Sequence, residues 1–168
     1  MTQKKQIFYW TVYGLAALLL LFLQVVLLNR LSVRSVHPFL LPMLAGLTAI
    51  YTPRRGSAIF AFLFGFLCDM LFAGVIPFFY LLTFTLCAVG AGLVSHRFIA
   101  PGFLCSLLIG GSCLFLTGLL QMFFFTFKTE VSFPAGMAIL FTELLLSLPF
   151  LLLLHPIYSR INRFLMRV

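Results

Sequence analysis

Apolar residues fill the chain in six runs, separated by short stretches where arginine, lysine, proline and glycine collect. The runs cover about 7–28, 38–52, 57–73, 78–94, 102–127 and 135–155. A helix rises 1.5 Å per residue, so about 20 apolar residues cross the ~30 Å hydrocarbon layer of a bilayer. The second run is short and carries Pro38 and Pro42, which suits a re-entrant segment as well as a crossing. The pattern predicts an all-α polytopic membrane protein, a single transmembrane domain over 1–168 with six transmembrane helices. The first run follows Lys4 and Lys5, yet it exceeds the apolar core of a signal peptide and no small-x-small cleavage site follows it. It therefore reads as a retained helix, with Tyr9, Trp10 and Tyr13 as an interfacial aromatic belt.

The third run is the most patterned. Thr52–Gly74 reads TPRRGSAIFAFLFGFLCDMLFAG, opening on Arg54, Arg55 and Gly56 and holding Asp69 within the apolar stretch. Ser57, Ala61, Gly65, Asp69 and Ala73 recur at four-residue spacing and share one ridge of a helix. Small residues at that spacing let another helix backbone approach closely in lipid, and an ionisable group there faces protein. Shorter ridges recur at Ala88 and Gly92, and at Gly102, Ser106 and Gly110. The tail 157–168 sets Ile157, Ile161, Phe164, Leu165 and Val168 opposite Arg160, Arg163 and Arg167. That pattern suits a helix lying on the membrane surface or a continuation of the sixth.

Composition excludes a water-facing domain. Only 8% of residues are charged and 63% are hydrophobic, whereas a soluble domain carries roughly 25% charged residues. The net charge of +8 does not indicate nucleic-acid binding, because the basic residues sit in loops and at the ends, and the 22 phenylalanines lie in apolar runs. Six crossings with both termini cytoplasmic put Lys4, Lys5, Arg54, Arg55, Arg97, Arg160, Arg163 and Arg167 inside, and Arg30, Arg34 and Lys128 outside. This is the positive-inside bias, and loop arginines also contact anionic membrane lipids. Five crossings, without the second run and with the N-terminus outside, divide the charges equally well; the lysines before the first helix favour six.

Chemical groups are sparse. Cys68, Cys87, Cys105 and Cys113 lie in apolar runs without CxxC or Cys/His ligand spacing, so they read as buried thiols and no metal or cofactor is expected. His37, His96 and His155 fall at helix ends on different sides of the membrane. No paired-carboxylate, HExxH, phosphate-cradling or nucleophile-elbow pattern occurs, so no enzyme is expected. Depth counting puts Asp69 in the outer third, level with Gln24 and Arg30, and predicts a hydrogen bond or ion pair with one of them. Glu143 and Gln121 form a second expected pair in the outer half. Two such clusters do not make the ladder of polar groups that an ion path requires.

With these positions assigned, the chain resembles the MreD family of rod-shape-determining proteins. The resemblance rests on Gln24 near the outer end of helix one, Pro38 leading a short second helix, and PRRG running into GFLCDMLFAG, over roughly 22–92. Gly56, Phe62, Gly65, Asp69 and Gly74 occupy places comparable to that family's R-G boundary and GFxxGLxxDxxxG helix. The chain departs from the family at the start of helix two, where His37 and Pro38 replace an acidic residue. The resemblance implies a non-catalytic scaffold in the bacterial inner membrane. Such a scaffold binds MreC and acts with RodA, its penicillin-binding partner and, indirectly, MreB, to guide peptidoglycan synthesis and rod shape. It also implies a fold similar to the substrate-binding subunits of energy-coupling-factor transporters, and such a vitamin-binding subunit is the alternative. The alternative is disfavoured by the four-residue series Tyr13, Ala17 and Leu21 on helix one, which does not show the run of small residues those subunits use for docking. The expected packing and partner-contact set is Arg54, Arg55, Gly56, Ala61, Gly65, Asp69, Gln24 and Arg30.

Overall fold

A computed structural model of the chain describes residues 3–30, 36–72, 76–97, 102–129 and 133–167. It contains six α-helices: α1 (Gln3–Val26), α2 (Leu41–Tyr51), α3 (Arg54–Leu71), α4 (Phe79–Arg97), α5 (Phe103–Thr129) and α6 (Phe133–Arg167). Arg34, Ala73, Gly74 and Val168, which figure in the sequence reading, lie outside the described residues.

The short second run forms the axis of the molecule. Every residue of α2 from Leu41 to Ile50 is buried, and the helix touches all five others. A helix that is apolar on all sides must be enclosed, which this one is. Its 11 residues rise about 16 Å, roughly half the hydrocarbon thickness.

α1, α5 and α6 contain segments long and apolar enough to cross a membrane, at Ile7–Val26, Phe103–Lys128 and Phe133–Arg163. Their outward faces are apolar as well, with Leu15, Leu18, Leu19 and Phe22 exposed on α1 and Leu145, Leu152 and Leu153 on α6. Helices of this length with such faces mark a membrane protein.

One sequence expectation needs correction. Tyr13 does not belong to an interfacial belt: with Ala17, Leu21 and Gln24 it forms the narrow inward stripe of α1, and its ring lies 5.9 Å from that of Tyr158 on α6. Of the two readings of the tail, the structure shows the continuation of the sixth helix, since α6 runs through Pro149 and Pro156 to Arg167. Its buried stripe is Ser147, Leu151, Leu154 and Tyr158, whereas Ile157 stays 49% exposed. α6 packs mainly on α5, and Tyr158 meets Tyr13 of α1.

Successive helices alternate in direction. Tyr9 Oη donates to the Tyr51 carbonyl at 2.9 Å, the Arg54 side-chain stem lies beside Gly92, and the Phe103 ring lies 5.4 Å from His155. The starts of α1, α3 and α5 and the ends of α2, α4 and α6 therefore share one end. Arg54, Arg55, Arg160 and Arg163 make it the basic end.

Candidate functional site

The opposite end holds two polar locks. α3 and α4 form the most extensive helix pair in the molecule, and Asp69 on α3 joins them. Its Oδ1 accepts from the Tyr80 N–H at 3.0 Å and its Oδ2 from the Leu81 N–H at 2.9 Å. The first N–H groups of a helix have no intrahelical acceptor, and they sit at the positive end of its dipole. Residues 76–79 are Ile, Pro, Phe and Phe, which carry no capping side chain. The carboxylate of the neighbouring helix takes that role. Phe79 N–H donates to the Ile76 carbonyl and Leu82 N–H to that of Phe78, which completes the first turn.

Asp69 is thus not partnered by Gln24 or Arg30, as the depth match predicts. The reason is donor–acceptor chemistry: a carboxylate only accepts, and it meets a pair of N–H donors. A primary amide both donates and accepts, and Gln24 meets the non-helical backbone before α2, which offers one group of each kind. Gln24 Nε2 donates to the Pro38 carbonyl at 2.7 Å, and its Oε1 accepts from the Leu40 N–H at 3.0 Å. Ser147 Oγ on α6 accepts from the Phe39 N–H between them at 3.0 Å. The stretch leading into α2 is therefore bonded by side chains of α1 and α6. Sequence reasoning missed Ser147, and its only signal is that it lies on the inward stripe of α6. Arg30 is exposed in the 3-10 turn Leu28–Arg30. Glu143 and Gln121 are both half-buried, with no hydrogen bond between them.

The small ridge of α3 faces α4. Ser57, Ala61 and Gly65 are buried, and a Cβ on Gly65 would stand 2.6 Å from Leu81 Cα and 2.7 Å from the Tyr80 carbonyl oxygen. Only glycine permits that approach, and it delivers the α4 N-terminus to Asp69 one turn away. Close helix approach, expected from the ridge, occurs within the chain.

At the basic end the two adjacent arginines diverge. Arg54 lays its stem along α4 beside Gly92, whereas Arg55 is exposed and turned to the space between α3 and α1. Gly56 lies against the edge of Trp10, whose ring stacks on Phe60 at 6.2 Å. His155 Nδ1 is 2.8 Å from Ser106 Oγ and ties α6 to α5. Among the described residues, no group of three His, Cys, Asp or Glu side chains converges as a metal site. Fold and polar locks together define an all-helical membrane protein in which the buried Gln24 and Ser147 and the half-buried Asp69 satisfy backbone groups of neighbouring segments. No family model matches the chain, and neither a curated protein nor a solved structure does.

Proposed function

We propose that the chain is a non-catalytic scaffold of the bacterial cell-elongation machinery in the inner membrane, similar to the MreD family. It binds MreC and acts with RodA, its penicillin-binding partner and, indirectly, MreB in guiding peptidoglycan synthesis. One observation carries the reading: the residues shared with that family's third helix, Gly65 and Asp69, are those that make the α3–α4 joint. A scaffold requires rigid helix faces, and its polar groups are then spent on backbone rather than aimed at a substrate.

In this reading the chain crosses the membrane six times with both termini cytoplasmic, and the basic end faces the cytoplasm. The second crossing combines the stretch 36–40 with α2. The 11 residues of α2 rise about 16 Å, and the non-helical stretch before it carries the chain over the rest of the layer. Non-helical backbone at that depth requires partners from the protein, and Gln24 and Ser147 supply them. The vitamin-transporter alternative requires an outward-facing pocket with convergent polar groups. The cavity between α1 and α3 is mostly apolar and lies at the basic end.

Purification from the host membrane in mild detergent, followed by identification of co-purifying proteins, tests the reading. A single-pass protein with a periplasmic coiled coil is expected. Recovery of an ATPase with a membrane coupling subunit would instead establish the transporter.

A further inference from the structure

α1 packs on α2 rather than α3, and a cavity of about 1090 Å³ lies between α1 and α3. Its walls are apolar along most of their length, including Leu18 on α1 and Leu63 and Leu67 on α3. Among its lining residues, Arg55 at the start of α3 and Asn162 near the end of α6 both belong to the basic end. Neither described carboxylate, Asp69 or Glu143, lines it. From Arg55 to Leu67 is 12 residues of α3, or about 18 Å. One leaflet of hydrocarbon is about 15 Å deep. The cavity therefore has the depth of one leaflet, a cation at headgroup level and an apolar wall below it.

We infer that this cavity holds an anionic phospholipid of the leaflet at the basic end, its phosphate on Arg55 and Asn162 and its acyl chains between α1 and α3. Arginine forms paired, charge-assisted hydrogen bonds to phosphate oxygens. The loosely packed α1–α3 gap then becomes a lipid-filled joint. A partner helix fits the space less well. A helix is 10–12 Å across with its side chains, whereas Trp10 already bridges the basic end of the gap, seated on Gly56 and stacked on Phe60. Flexible chains pass beside that ring, and a helix would have to displace it. The inference rests on the membrane character of the chain and not on its family or partners.

Native mass spectrometry of the purified protein tests it, with phosphatidylglycerol and phosphatidylcholine titrated into detergent. Preferential retention of phosphatidylglycerol is expected. Arg55→Gln should lower that retention roughly tenfold, the loss of one charge-assisted contact. Arg163→Gln, which removes an exposed arginine that does not line the cavity, should leave it unchanged. Gly14 supplies the second variant, because it lines the cavity and a Cβ there would meet nothing within 4 Å. Gly14→Leu should fold, since leucine is the better helix former, and should expel the lipid by filling its space. Equal retention of the two lipids overturns the headgroup assignment. Undiminished phosphatidylglycerol in folded Gly14→Leu overturns the cavity as the site. A stoichiometric polypeptide cross-linked from position 14, in place of lipid, assigns the gap to a partner helix and overturns the inference as well.

Discussion

The joint between α3 and α4 makes the sharpest prediction. Asp69→Ala removes both acceptors from the start of α4 and leaves the Tyr80 and Leu81 N–H groups without partners. Hydrogen bonds to charged groups contribute about 1.5–3 kcal/mol each in water-soluble proteins, whereas side-chain bonds in membranes average about 0.6 kcal/mol and reach about 1.7. Asp69 is half-buried and its carboxylate accepts two bonds of ordinary length, 3.0 and 2.9 Å, so each belongs between those figures. The pair then contributes about 2–3 kcal/mol, to which the α4 dipole adds within that range. Asp69→Asn keeps one acceptor and should lose about half as much. Reversible unfolding by titration with denaturing detergent would read both variants. Hydrogen exchange gives a local check: protection of the Tyr80 and Leu81 amides should fall roughly 30- to 150-fold in Asp69→Ala. A loss below about 0.5 kcal/mol with unchanged exchange at those two amides would refute the cap, as would Asn proving as damaging as Ala.

Three further changes test the neighbouring geometry. Gly65→Ala pushes a methyl against the α4 backbone, so it should cost about 1–3 kcal/mol and weaken the Asp69 bonds with it; wild-type detergent stability would contradict the close approach. Gln24→Leu, similar in size and apolar, strands the buried Pro38 carbonyl and Leu40 N–H and should cost about 2–4 kcal/mol by the same titration. A variant as stable as wild type would mean that water or another group replaces the amide. Phe78 holds a left-handed φ of 63° with its side chain exposed, so Phe78→Gly should raise stability by about 0.5–1 kcal/mol, and a fall in melting temperature would show that its ring packing outweighs the strain.

Length and apolarity made most of the helices legible, because a chain with 8% charged residues has few ways to satisfy its backbone in lipid other than helices. The same criterion ranked α2 lowest, since an 11-residue apolar stretch falls short of a crossing. Burial follows from neighbours rather than length. The pattern that marks α2 as the axis is the absence of any polar face from Leu41 to Ile50, with only the small hydroxyl of Thr48, which bonds the Ala45 carbonyl of its own helix. The tail was open for a related reason. Alternating arginines and apolar residues in 157–168 fit a surface helix and a continued sixth helix equally well, and what separates the two is the burial of Tyr158 against Tyr13 of α1.

At the polar locks the sequence pointed to the right residues and the wrong partners. Depth along each helix places Asp69 and Gln24 at the same end, and depth alone cannot distinguish a neighbouring side chain from a neighbouring backbone. A stricter use of hydrogen-bonding capacity narrows the choice. The start of α4 lacks a capping residue, so its N–H groups need an acceptor from elsewhere, and among the described residues Asp69 is the carboxylate just before that turn. The stretch before α2 exposes alternating donors and acceptors beside a proline, and a buried amide fits it where a carboxylate would repel the Pro38 carbonyl. Polar residues inside an apolar chain are thus better matched first to the backbone groups that helices leave open, and only afterwards to each other. By that order Arg55 stands apart, because the first turn of α3 carries open N–H groups and an arginine can satisfy none of them. Exposed beside the cavity, its guanidinium is open to an acceptor from outside the chain, the role given above to a lipid phosphate.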